Sequence, residues 1–304
     1  MERVDQSLVQ QIAARLDRLP LSSFSWKLLI MVAPAWIIEA YALQNVACWL
    51  LLAWMLARWI PPTSRRGLAL WTACLFSHGL LWSVRFALLD GPSLLLTAGA
   101  VWAVEAGRPL LSAAVVGIAG LARETNVLVA AAQPLPRHRR DWLRLAAAAA
   151  IAAMPLIVWE DYLRSIYRST IAAGVDSLAT PGVALAERWM QTLGALRSEG
   201  LLSAAWLPFG LLTSLIVQAA YVIVRRQYDA PWWRVAAAYV LLMAVLDRVL
   251  VDPNTGAITR VLLPLTVAFN ILAASESRPW RFWIWFAAGN LHLLSSPRVM
   301  PFWP

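Results

Sequence analysis

The sequence predicts an all-α protein, a polytopic integral membrane helical bundle with about eight full spans plus a short broken helix pair. Three observations lead there. Hydrophobic residues fill 60% of the 304 positions and charged ones 14%, against the roughly 25% charged of an ordinary soluble domain. Mean hydropathy is +0.61. The 18 tryptophans suit a chain whose indoles sit where hydrocarbon meets water, with the ring in the apolar layer and the N–H kept wet. At about 20 apolar residues per span, eight spans use up the chain, so residues 1–304 read as a single transmembrane domain.

In chain order, apolar stretches run over 36–58, 67–84, 91–107, 109–120, 126–136, 142–160, 201–224, 233–250, 259–275 and 281–297. The first three reach the roughly 17 residues that a crossing needs. The next two do not, and Leu121-Ala122-Arg123-Glu124-Thr125-Asn126 separates them. Counted as two passes, they put Arg58, Arg65, Arg66, Arg108, Arg137, Arg139, Arg140, Arg144, Arg225, Arg226, Arg234, Arg278 and Arg281 on one face. Merged into one, they send the cluster at 137–140 to the other face, against the positive-inside rule. The broken pair is therefore expected, since non-helical backbone at membrane depth is tolerated where it lines an enclosed cavity.

The span at 142–160 contains the alanine run 146–150, which suits close helix packing. Residues 160–200 form an extracytoplasmic amphipathic loop. Its Tyr162, Tyr167, Glu187, Trp189 and Arg197 around the Thr180-Pro181-Gly182 turn predict one or two helices lying on the membrane. Four further spans complete the chain, and the outer face receives 84–91, 121–125, 160–200, 251–258 and the C-terminus. The N-terminal tail, 1–25, carries Glu2, Arg3, Asp5, Arg15, Asp17 and Arg18 with no apolar signal segment. With the first span running inward, that tail would need translocating, so a further helix ahead of residue 1 is expected. The absence of an internal repeat weighs against a duplicated transporter fold.

The net charge of +9 comes from 26 basic and 17 acidic residues and is almost wholly arginine, because Lys27 is the only lysine. In such a chain the excess marks cytoplasmic loops, and no nucleic-acid partner is expected. Cys48 and Cys74 lie in apolar stretches and read as packing residues.

Ionisable groups beside apolar segments cost about 2.5–3.5 kcal/mol on insertion scales and are functional candidates. Here they are Arg85 and Asp90, Arg123 and Glu124, and Asp247 and Arg248, with Asp252 and Arg260 close by. Three outer loops thus each bring a carboxylate and an arginine to one polar cavity, roofed by 160–200 and suited to an anionic substrate. Each candidate has a second reading. Asp90, ahead of Gly91-Pro92-Ser93, is a natural helix cap. Arg123 and Glu124 neutralise each other at the helix break. Asp247 and Arg248 form a structural ion pair, Arg260 snorkels at the entry to its span, and Glu39 is an interfacial charge. His78, His138 and His292 lie far apart and form no metal or catalytic group. Nucleophile elbows, Walker loops and dinucleotide fingerprints are lacking.

Several local patterns recur in the same order in one group of bacterial membrane proteins. They are residues 45–60, Arg85 through Asp90-Gly91-Pro92, Gly107-Arg108-Pro109, Gly120 through Arg123-Glu124-Thr125-Asn126, Arg260 to Pro264, and Ala288-Gly289-Asn290. From about residue 27 onward the chain resembles the cell-surface glycopolymer formation proteins, which look like GT-C glycosyltransferases dependent on polyprenyl-phosphate sugars. The resemblance implies an α-helical enzyme of the bacterial cytoplasmic membrane with its site facing away from the cytoplasm. Its partners would be a polyprenyl-phosphate-linked sugar, a glycan or glycolipid acceptor and the lipid bilayer. The family pattern also has an initial helix followed by an Asp-Gly-Gln segment. The nearest match here is Asp5-Gln6, which lacks the glycine.

Such a reaction needs a carboxylate to take the acceptor's proton, and Asp90, Glu124 and Asp5 are the candidates. It also needs arginines to meet the departing lipid phosphate, a role suited to Arg85, Arg123 and Arg260. No cofactor is identified. A divalent metal is compatible with this class, but no ligand set for one is recognisable. The competing readings are a non-catalytic membrane component that carries or assembles the same lipid-linked sugar, and a secondary transporter.

Overall fold

The computed structural model describes residues 41, 43–136, 138–167, 179–200, 203, 205–252 and 257–299. The tail at 1–25, with Asp5, and Glu39 lie outside the described residues, as do 168–178 of the predicted loop. The chain divides into two compact units, Met1–Leu43 and Gln44–Pro304; of the first, only Tyr41 and Leu43 are described.

Regular structure among the described residues is helical. In order come α1 (Leu43–Leu56), then α2 (Arg65–Leu75), α3 (His78–Arg85), α4 (Asp90–Glu105) and α5 (Pro109–Ala122). A 3-10 segment (Glu124–Ala132) leads to α6 (Arg139–Tyr167), α7 (Val183–Glu199), α8 (Trp206–Val224) and α9 (Pro231–Val245). The short α10 (Ala257–Val261), α11 (Leu263–Ala273) and α12 (Pro279–Gly289) follow, then 3-10 turns at Leu291–Leu294 and Ser296–Val299. Pro109, Pro231, Pro264 and Pro279 open their helices, where a missing N–H costs no intrahelical bond.

By length and hydropathy, Arg139–Ile166 and Trp206–Val224 are each able to cross a bilayer, and α2 with α3, bent by 45°, make a third if they act as one span. The remaining predicted spans form shorter or interrupted helices. The stretch 259–275 breaks at Leu262 between α10 and α11, and 281–297 leaves α-geometry after Gly289. The helix predicted over 142–160 continues to Tyr167, carrying Glu160 and Arg164 as a pair 3.2 Å apart at one-turn spacing.

The broken pair is present. At 1.5 Å per residue, the 14 residues of α5 extend about 21 Å, short of the ~30 Å hydrocarbon core. The helix ends at Arg123, whose backbone is extended (φ −158°, ψ 121°), and the chain returns as the 3-10 segment. Gly120 admits this return, because a Cβ there would sit 3.3 Å from Val127 Cγ2. At the far end Gln133 Nε2 donates to the carbonyl of Pro109, 2.9 Å away, so the returning limb finishes beside the start of α5.

Arg108 and the arginines that open α6 therefore share one end of the bundle, as the charge pattern requires. Other bonds gather at that end. Trp59 Nε1 donates to the Glu105 carboxylate at 2.9 Å, and Arg234 donates to the carbonyls of Ala131 at 3.2 Å and Ala132 at 2.6 Å. Arg225 pairs with buried Glu276, whose carbonyl accepts from Arg66 at 3.3 Å.

The core runs between α4, α8, α9 and α11 through Leu94, Val101, Tyr221, Val235, Leu265 and Phe269. Gly289 is needed here, since a Cβ would lie 2.4 Å from the Phe269 ring. Beside it the side-chain amides of Asn270 and Asn290 exchange hydrogen bonds of 3.2 and 3.0 Å. The Ala288-Gly289-Asn290 motif thus joins α11 to α12.

Candidate functional site

At the end of the bundle opposite the arginine-rich loops, Asp90 is the first residue of α4. The turn before it is tied by Ser83, whose hydroxyl donates to the Leu88 carbonyl at 3.0 Å and accepts from the Gly91 N–H at 3.2 Å. Ala87 adopts a positive φ of 52° within this turn. Asp90 is 6% exposed and stands inside the helix, one position after the cap residue Leu89. Its carboxylate faces two arginines. One oxygen pairs with Arg123, and the other lies 3.4 Å from Arg260 Nη1. The two guanidinium side chains keep 23% and 21% exposure respectively.

Three elements meet in this way. Arg123 leaves the end of α5 on extended backbone, and its N–H donates to the Ala119 carbonyl at 3.0 Å. Arg260 belongs to α10, which lies against α3 at Gly79, where a Cβ would stand 2.5 Å from the Thr259 carbonyl oxygen. Any side chain at position 79 would push α10 away and Arg260 with it.

Of the expected site residues, the structure brings together Asp90, Arg123 and Arg260. Glu124 is exposed on the same loop and joins no ion pair among the described residues; Arg123 turns to Asp90 instead. The expected mutual neutralisation of Arg123 and Glu124 is therefore corrected. Arg85 is exposed with its guanidinium 5.6 Å from the Phe86 ring centre, and it is not brought to Asp90. The expected Asp247–Arg248 pair is also replaced. Arg248 donates to Glu187 of α7 at 2.7 Å, and Asp252 pairs with Arg188 at 3.2 Å. The predicted amphipathic helix thus lies on α8 and α9 and is pinned to the loop after α9. Trp189 Nε1 also donates to Thr213 Oγ1 at 3.1 Å.

Ser93, Asn126 and Tyr239 escaped the sequence reading as site residues. Asn126 is 1% exposed, and its amide nitrogen donates to Ser93 Oγ at 2.5 Å and to the Ala119 carbonyl at 2.9 Å. The hydroxyl of fully buried Tyr239 is shared between the Thr125 carbonyl at 3.1 Å and Asn126 Oδ1 at 3.2 Å. The Arg-Glu-Thr-Asn string signalled Asn126, but nothing local marked Tyr239. No three His, Cys, Asp or Glu side chains gather to hold a metal among the described residues, and both oxygens of Asp90 face arginines, so this cluster does not fit a divalent cation.

An apolar helical bundle with a buried carboxylate holding two guanidiniums at one end is that of a membrane protein. The chain belongs to glycosyltransferase family 87, a GT-C-type family, whose model matches residues 19–253. That region includes Asp90, Arg123 and Glu124, and Arg260 lies just beyond it. Neither a curated protein nor a solved structure matches the chain.

Proposed function

We propose that this glycosyltransferase moves a hexose from a polyprenyl-phosphate donor to a cell-surface glycopolymer or glycolipid, in the bacterial cytoplasmic membrane with its site facing outward. The observation that carries this reading is the cluster of Asp90, Arg123 and Arg260. One carboxylate between two guanidiniums places both cations side by side in a mostly buried site. As the glycosidic bond breaks, a polyprenyl phosphodiester becomes a monoester and gains one negative charge. Donors fixed where charge develops lower the barrier most, and planar guanidiniums suit phosphate oxygens.

In the proposed step the acceptor hydroxyl oxygen bonds to the anomeric carbon, and the bond from that carbon to the phosphate oxygen breaks. The electron pair leaves on the phosphate, and a carboxylate receives the hydroxyl proton. Asp90 and Glu124 are the two carboxylates of this scheme. Because both oxygens of Asp90 already face arginines, Asp90 orders the phosphate clamp, whereas exposed Glu124 is left to accept the proton. Arg123 and Arg260 bind the phosphate directly, and Arg85 meets the donor at the rim. Eight crossings anchor the enzyme, as expected from the sequence, with interrupted helices completing a crossing together with their flanking turns.

The test is reconstitution in proteoliposomes with radiolabelled polyprenyl-phosphate hexoses and a cell-envelope glycan fraction as acceptor. Label should enter the glycan, with one polyprenyl phosphate released per sugar. Donor that is bound or flipped but never consumed would favour the carrier reading instead.

A further inference from the structure

We infer that Tyr239 and Ser93, acting through the side-chain amide of Asn126, are positioning residues that set the Arg123 guanidinium against Asp90, an inference that rests on the reaction proposed above. Arg123 keeps the last bond of the helical ladder, from its N–H to the Ala119 carbonyl at 3.0 Å, but its own backbone is extended (φ −158°, ψ 121°), so the ladder does not fix the turn that follows. What fixes the turn is the Asn126 amide. The Asn126 N–H donates to the Arg123 carbonyl at 2.9 Å, and the side chain bonds in three directions, to Ala119 in α5, Ser93 in α4 and Tyr239 in α9.

The spacing gives these bonds their effect. Ser93 stands three positions after Asp90, on the same face of α4, and Asn126 stands three positions after Arg123. The Asn126–Ser93 bond therefore ties together, one turn away, the two elements that carry the ion pair. Tyr239 contributes from a third element. Its hydroxyl is shared between Asn126 Oδ1 and the Thr125 carbonyl, so it holds the amide in the orientation that points its N–H groups at Ser93 and Ala119. Without that hydroxyl, Asn126 Oδ1 loses its donor, the amide is held only by its own bonds to Ser93 and Ala119, and the turn loosens. Tyr239 and Ser93 touch neither phosphate nor sugar in this scheme. Their effect reaches the substrate only through Arg123.

Tyr239→Phe removes the hydroxyl and leaves the ring packing intact. The probe is undecaprenyl phosphate, titrated into the purified full-length protein in nanodiscs, with transfer kinetics measured alongside. Tyr239→Phe and Ser93→Ala should each weaken undecaprenyl phosphate binding about 5- to 10-fold. They should raise the donor KM by a similar factor and leave the acceptor KM unchanged. In an Arg123→Lys background, where the clamp is already loosened, Tyr239→Phe should add less than about twofold. The inference is overturned if both variants bind as wild type does, or if Tyr239→Phe costs the same factor with and without Arg123→Lys. If a variant yields little folded protein, Asn126→Asp, which keeps the acceptor for Tyr239 but removes both donors, decides the matter by the same readings. Should Arg123→Lys and Arg260→Lys both leave binding untouched, the phosphate reading of the site fails, and this inference with it.

Discussion

Asp90 and Arg260 stand 170 positions apart in the sequence and 3.4 Å apart in space, and what permits their approach is the bare Cα of Gly79 beneath the Thr259 carbonyl. The site depends on helix packing several residues from its charges.

Replacing Gly79 should therefore act at a distance. Gly79→Ala places a Cβ 2.5 Å from a backbone oxygen, which cannot yield as a flexible side chain would. We expect at least a tenfold loss of transfer, by displacement of Arg260, together with a lowered melting temperature. Gly99→Ala, where nothing lies within 4 Å, is the control: replacing a mid-helix glycine should stabilise by up to about 1 kcal/mol and leave activity alone. Thermal unfolding and transfer rates per folded molecule check both. Equal effects from the two alanines would contradict the steric account.

Asp90→Asn removes the negative charge that lies between the guanidiniums of Arg123 and Arg260. Removing one partner of a buried pair costs about 3–5 kcal/mol, less where the partners are partly exposed, as here, so we expect about 2 kcal/mol. Transfer should fall by about 10²-fold. A double variant with Arg123→Gln should recover part of the stability and none of the activity, a separation that unfolding curves and turnover measure independently.

Glu124→Gln is expected to behave in the opposite way. Its carboxylate is exposed and joins no ion pair among the described residues, so stability should stay within about 0.5 kcal/mol of wild type. Polymer formation should fall at least about tenfold if the residue takes the acceptor proton. Arg123→Ala should reduce it as much, with unchanged membrane levels. Wild-type polymer yield from Glu124→Gln would remove that residue from the mechanism.

The ion pairs of α7 should matter little on their own. Glu187 with Arg248 and Arg188 with Asp252 lie near the surface, where such pairs contribute about 0–1 kcal/mol and weaken with salt. Glu187→Gln should leave protease resistance of α7 nearly unchanged, whereas Trp189→Ala, which removes a packed indole and its bond to Thr213, should expose the helix to cleavage. Cleavage of Glu187→Gln with Trp189→Ala left resistant would show that charge, and not the indole, seats α7.

The broken pair was legible from arithmetic alone, since two stretches too short to cross and an arginine cluster on the wrong side left few alternatives. The gathering of Asp90, Arg123 and Arg260 at one end was legible for the same reason. Their pairing was not. Sequence neighbours invite pairing on paper, yet along extended backbone successive side chains point to opposite sides. Arg123 is extended, so Glu124 is carried away from it and the guanidinium meets Asp90. Leu246, just before Asp247 and Arg248, is extended too (φ −65°, ψ 140°), and Arg248 finds Glu187. Tyr239 could not be foreseen, because its hydroxyl partner lies 113 positions away and within its own helix it is one more apolar ring. The shorter helices were hidden because composition reports how apolar a stretch is and not where its hydrogen-bond ladder stops.

The bond from Gln133 to the Pro109 carbonyl closes a hairpin whose limbs are unequal in residue number, 14 in α5 and nine in the 3-10 segment. At about 1.5 and 2.0 Å of rise per residue they extend about 21 and 18 Å, so the leaner limb keeps pace only because its coil is drawn out. The hairpin therefore works as a ruler. Rewinding nine residues as an α-helix would shorten that limb by about 4–5 Å, more than a hydrogen bond is long, and drag the Arg-Glu-Thr-Asn tip down from the mouth of the bundle.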